Sequence, residues 1–99
     1  MKDNLAKYSN FQRAQQNAYR YLGKKKGKLY RSTRKEKKYM VKNPATNKWV
    51  YFGQMGYSDF TKHQNKTRRK NYLHRATHIR GKWKTNKFSP NNLAIHILW

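Results

Sequence analysis

Asp59, His63, His74 and His78 are the residues of this chain whose types could do chemistry. His74 and His78 are spaced i, i+4, which sets two imidazoles on one helical face. Joined by Asp59 and His63, they are the kinds of ligand that hold a divalent ion for hydrolysis, as in a metal-dependent nuclease. The counts argue against that chemistry. The chain has three carboxylates, Asp3, Glu36 and Asp59, too few for a glycosidase-like pair or a two-metal centre. The HxxxH spacing has no glutamate between its histidines, and so describes packing or surface residues as well as ligands. No nucleophile elbow is present, and the GQMG run at 53–56 is too short for a phosphate-binding loop and lacks a following GK[ST]. The expectation is a protein with no catalytic residue, no metal, no cofactor and no small-molecule substrate. Asp59 is expected to cap a helical turn, or to pair with Arg68 or Arg69.

The chemistry that remains is electrostatic. Twenty-five lysines and arginines against three acids give a net charge of +22. A soluble domain of this size needs a net charge of only about 2–8. The surplus suits a polyanion: nucleic acid, an acidic protein surface or an anionic membrane surface. Candidate contacts fall in three groups. The first is Lys24, Lys25, Lys26, Lys28, Arg31, Arg34, Lys35, Lys37 and Lys38; the second is Arg68, Arg69, Lys70 and Arg75; the third is Lys82 and Lys84. Phosphate contacts of this kind hold a backbone without reading its sequence. Several cations neighbour rings, as in Arg20–Tyr21, Tyr30–Arg31, Lys48–Trp49 and Lys82–Trp83–Lys84. Single-strand binders stack bases on such rings. Aromatic residues are 15% of the chain and all hydrophobic residues only 35%, so most rings are expected to build the core.

These residues need positioning. The stripe Leu5, Tyr8, Phe11, Ala14, Gln15, Ala18, Tyr21 and Leu22 predicts one amphipathic helix over 4–22, capped by Asp3 or Asn4 and stopped by Gly23. Residues 24–38 read as a solvated basic tether with nothing to pack. Residues 39–43 and 48–52 read as the strands of a hairpin, with Pro44 and Asn47 turning the chain. Gly53 and Gly56 lead a loop into Tyr57, Ser58 and Asp59, where a helical turn opens. A basic helix over 65–79 is capped by Asn65 or Thr67, has Tyr72, Leu73, Ala76 and Ile79 as its apolar face, and ends at Gly81. Trp83 and Phe88 anchor a basic loop. Ser89 and Pro90 start a last helix over the apolar run 93–99, with a strand as the competing reading. There is no cysteine for a disulfide or a cysteine zinc site. No apolar leader core and no run long enough to span a bilayer is seen.

Several of these residues form a pattern. Tyr51-Phe52-Gly53, then Gly56-Tyr57-Ser58-Asp59-Phe60-Thr61-Lys62-His63, then Arg68-Arg69 and Tyr72-Leu73-His74-Arg75 are followed by Ser89, Pro90, Leu93, Leu98 and Trp99. Over residues 38–99 this resembles a family of short basic proteins of nucleocytoplasmic large DNA viruses, including giant viruses of algae and amoebae. Tyr51 stands where that pattern has a histidine. The resemblance implies a virion component and no known activity.

Together these readings predict an α+β single domain. An N-terminal helix and basic extended arm (1–38) precede a compact aromatic-rich unit (39–99) in which short helices pack a β-hairpin. Phe52, Gly53, Gly56, Tyr57, Asp59, Phe60, His63, Tyr72, Trp83, Pro90 and Trp99 are expected to hold that unit's structure. The function expected is a minor capsid or inner-virion protein on the inner side of the shell, made in the infected cell. Its expected partners are other capsid proteins and, through phosphates, packaged genome. The alternative is a DNA- or RNA-condensing protein.

Overall fold

The computed structural model describes residues 5–99. The cap expected at Asp3 or Asn4 lies outside the described residues. The fold is α+β: an antiparallel three-stranded sheet with helices on one face.

The first helix is two helices. Helix α1 (Leu5–Tyr8) stops, and α2 (Phe11–Leu22) restarts from Asn10, whose side chain accepts the Arg13 N–H. The apolar stripe runs in register across the break, which conceals it in the sequence. Asn10 is a strong N-cap. Asn10 N–H also donates to Thr61 Oγ1 at 2.9 Å, so tertiary contact fixes the interruption. Phe11, expected on the buried stripe, is exposed, whereas Leu5, Ala14, Ala18 and Leu22 are buried.

The basic stretch after α2 is not a free tether. Gly23 ends α2 at φ +88°, and Gly27 then lies against the helix. A Cβ at Gly27 would stand 2.6 Å from the Ala18 carbonyl oxygen, so only glycine fits this approach. Gln15 clamps the segment: its Nε2 donates to Gly27 O at 2.7 Å, and its Oε1 accepts Leu29 N–H at 2.9 Å. Leu29 is buried in the core, and Tyr30–Arg31 forms the short edge strand β1. Residues 24–38 therefore pack through glycine, leucine and backbone, while most of their cations stay in water.

Strands β2 (Lys37–Asn43) and β3 (Lys48–Gln54) form the hairpin, longer at each open end than the pattern suggested. Tyr39 pairs with Phe52 and Val41 with Val50; Tyr39, Val41 and Phe52 are buried against the helices. The connection turns as its residues require: Asn47 takes φ +59°, and Asn43 Oδ1 accepts Ala45 N–H. Gly53, at φ +82°, lies so close to Leu98 that a Cβ would meet Leu98 Cδ1 at 2.8 Å.

The final segment is helical. Helix α5 (Pro90–Leu93), after α3 (Phe60–His63) and α4 (Lys66–Thr77), continues as a π-helical turn over Ala94–Leu98. Ser89 caps it, accepting Asn92 N–H, with Pro90 at its first position. Leu93, Ile97 and Leu98 join Leu5, Ala14, Ala18, Leu22, Leu29, Tyr39, Val41 and Phe52 in one core drawn from both sides of residue 38. Half-buried amides tie the last helical segment to α2 and α4: Asn17 donates to Ile97 O and Asn91 to Ala76 O. Helix α4 starts at the Asn65 cap and ends before Gly81; Ile79, expected on its apolar face, is exposed.

Candidate nucleic-acid interface

Asp59 caps α3, as one of its two expected roles required: its Oδ1 accepts Thr61 N–H at 3.0 Å. Its charge partner is Lys38, and neither arginine named for that role. The Nζ–Oδ2 distance is 3.0 Å, and both side chains are almost fully buried. Lys38 Nζ also donates to the main-chain oxygens of Tyr57 at 2.5 Å and Tyr8 at 3.3 Å, so its three protons have three acceptors. Burial pulls the Lys38 pKa below the usual ammonium range, and Asp59 opposes that shift by charge and hydrogen bond. Lys38 is thereby withdrawn from the surface cations.

A run of hydroxyls ends on the same carboxylate. Tyr39 OH donates to Ser9 Oγ at 2.7 Å, Ser9 lies 3.1 Å from Thr61 Oγ1, and Thr61 Oγ1 donates to Asp59 Oδ1. Thr61 has one hydroxyl proton and gives it to Asp59, so Ser9 must donate to Thr61. All protons point toward the anion. Burial, with Asp59's charge adding to it, pushes the Tyr39 phenol up to about 12. Both carboxylate oxygens of Asp59 are engaged inside this network, which joins the α1–α2 break, β2 and α3.

The histidines do not converge. Among the described residues no three metal-binding side chains form a site. His63 lies between the rings of Phe60 and Trp99, 6.1 and 5.2 Å away, and its Nδ1 accepts Asn65 N–H. Burial first, then the Arg68 charge, lowers its pKa. His74, on α4, and His78, the residue that caps its C-terminus, are exposed with ring centroids 4.6 Å apart, side by side as their spacing predicted.

Beside the network opens a groove of about 1040 Å³ between the end of the hairpin, α4 and the C-terminal helical segment. Arg68, Asn71, Tyr72 and Arg75 line one wall from a single face of α4, and Arg80 and Trp83 extend it. Lys37, Gln54 and the Tyr57–Ser58 loop line the other, over a floor of Gly53, Ala94 and Leu98. Arg68 to Arg75 is two helical turns, roughly 10 Å. Among the described residues, no aspartate or glutamate side chain lines the groove. Tyr72 stacks on Trp99 at 4.2 Å, while Arg69 lies 5.1 Å over Phe60 and donates to Trp99 O at 2.6 Å.

The expected contact residues thus separate. Lys37, Arg68 and Arg75 come together in the groove; Lys38 also borders it but is buried, with its ammonium turned to Asp59. Arg69 holds structure. Lys25, Lys26 and Lys28 lie at the other end of the sheet, Arg34 sits 4.2 Å over the Tyr51 ring, and Lys84 5.7 Å over Trp83. Lys24, Arg31, Lys35, Lys70 and Lys82 are exposed outside both clusters. Tyr57, expected to hold the unit's structure, is 68% exposed, and its carbonyl oxygen accepts from Lys38 Nζ. Gly56 has the expected positive φ; Phe52 is buried and Trp99 packs against the core, whereas Trp83 is half-buried, donating to Ile79 O at 2.7 Å, and Pro90 is exposed at the first position of α5. Arg80 was not singled out, because it follows the apolar face of α4 with no periodic signal of its own.

The chain belongs to a family of unknown function, DUF5754, whose model matches residues 27–76. That span runs from Gly27 to Ala76 and holds the whole sheet, both partners of the buried ion pair and nearly all of α4. No curated protein and no solved structure matches the chain. Among the described residues, no helix is long and apolar enough to cross a membrane.

Proposed function

We propose that this protein is a non-enzymatic binder of nucleic-acid backbone, and that it serves as a small structural component inside the particle of a large DNA virus. The observation that carries the binding reading is the groove: Lys37, Arg68, Arg75 and Arg80 converge on it and, among the described residues, no aspartate or glutamate side chain does. Four cations along one cleft neutralise phosphates without reading bases. The non-enzymatic reading is supported by Asp59, whose two oxygens are both engaged within the buried network. The viral reading is supported by the sequence resemblance, and packaged genome is the polyanion it supplies.

Duplex DNA titrated with the full chain tests the binding. Affinity is expected to be independent of base sequence, and Arg68→Gln with Arg75→Gln is expected to weaken it by tenfold or more. No binding at low salt would end this reading. Cross-linking mass spectrometry on purified particles tests the location. Cross-links to shell proteins alone, with none to DNA, would replace the genome by an acidic capsid-protein surface as the partner.

A further inference from the structure

The outer face of the sheet carries a second site. Antiparallel partners directly opposite each other share a face. Tyr39 and Val41 point into the core, so Met40 and Lys42 point away from it, with their partners Tyr30, Tyr51 and Trp49. Tyr30 and Trp49 meet edge to face at 5.3 Å, with planes at 87°, and are 42% and 40% exposed. This chain is poor in hydrophobic residues, yet two large rings stay in water side by side. Around them Lys25, Lys26, Lys28 and Lys42 line a shallow pocket of about 460 Å³, with no aspartate or glutamate among the described residues that line it. Lys28 Nζ stands 5.7 Å over the Tyr30 ring and Lys42 Nζ 5.8 Å over Trp49.

We propose that this face binds single-stranded nucleic acid, stacking an unpaired base on Trp49 and Tyr30 while the four lysines hold its phosphates. The charge selects an anion. The rings select one with a flat, accessible face, which an unpaired nucleotide has and a duplex hides within its stack. An acidic peptide satisfies the lysines but leaves the rings unused. The cation–ring contacts are weak at such exposure, so the lysines are free to turn to phosphates. The site is separate from the groove: Trp49 and Gly53 lie at opposite ends of β3, roughly 13 Å apart along the strand. It stands whether or not the groove binds duplex.

The test is fluorescence anisotropy of the full chain with three probes of about twelve nucleotides, a length within the usual single-strand site size. They are oligothymidylate, the same backbone made abasic, and a duplex. Trp49→Ala and Tyr30→Ala are each expected to weaken oligothymidylate about tenfold. Trp49→Phe is expected to restore most of it, and duplex binding to change less than about twofold, since phosphates alone hold a duplex. The abasic strand is expected to bind the unaltered protein weakly and to ignore Trp49→Ala. Unchanged oligothymidylate affinity in both alanine variants would overturn the proposal. So would an equal loss for all three probes, or competition by polyglutamate as effective as that by oligothymidylate. Ring-dependent binding of oligothymidylate without duplex binding would retire the groove reading and leave this one.

Discussion

At the scale of residues, Lys38 and Asp59 are the most exacting feature of the protein. A chain with twenty-five cations keeps one of its three acids fully inside and neutralises it with a lysine that is itself buried. Removing one partner leaves an uncompensated charge. Lys38→Ala is therefore expected to cost about 3–5 kcal/mol, read by urea unfolding, whereas alanine at exposed Lys35 is expected to cost less than about 0.5 kcal/mol. A Lys38→Ala protein as stable as the parent would show that the pair does not hold the fold. Tyr39 gives a second check. Its pKa is raised from 10.0 to about 12 on folding, so the folded state keeps a proton that the unfolded state releases. The associated stability is fully present below about pH 10 and is lost as pH rises toward about 12, at roughly 1.4 kcal/mol per unit. Lys38 has the opposite sign: its lowered pKa makes stability rise as pH passes from that value to the ordinary lysine range. The difference between the parent and Tyr39→Phe isolates the tyrosine. The variant is expected to lose less stability across that window; identical curves would contradict the assignment. Asp59's capping role was legible from its place before a helical turn. Its partner was not, because choosing Lys38 over Arg68 or Arg69 depends on how β2 and the loop meet in space.

At the scale of elements, the segment between α2 and β2 carries the main lesson. By composition residues 24–38 describe a tether, since cations dominate and periodicity is absent. What docks them is Gly27, Leu29 and the amide of Gln15, three residues that no local pattern marks. Gly27→Ala is expected to destabilise by about 1–3 kcal/mol, because the new methyl meets main-chain oxygens that cannot yield. Gln15→Ala is expected to speed amide hydrogen exchange at Leu29, just before β1, ahead of any position in the sheet. If exchange rises evenly across the sheet, the clamp is not a local device. The hairpin and the Ser89–Pro90 helix start were legible, since turn and cap chemistry are local properties. The division of rings between core and surface was only half legible. Tyr39 and Phe52 lie inside and Trp49 and Tyr30 outside by strand alternation, but which face is covered is decided by where the helices pack.

At the scale of the whole molecule, the net charge of +22 acts on folding and on binding with opposite signs. Within one chain the surface cations repel, and salt screens them over a Debye length that shrinks from about 10 Å at 0.1 M to about 3 Å at 1 M. The thermal midpoint is therefore expected to rise with added salt, and a fall would show that surface repulsion does not limit stability. Binding to a polyanion must weaken over the same range, because each neutralised phosphate releases counterions. The most direct test of the account is the slope of log affinity against log salt for duplex DNA. With Lys37, Arg68, Arg75 and Arg80 engaged, the slope is expected to be about −3.6 or steeper, and replacing the three arginines by glutamine is expected to flatten it by about 2.7. A slope shallower than about −1, or one that the three replacements leave unchanged, would contradict the assignment of the groove as the phosphate-binding surface.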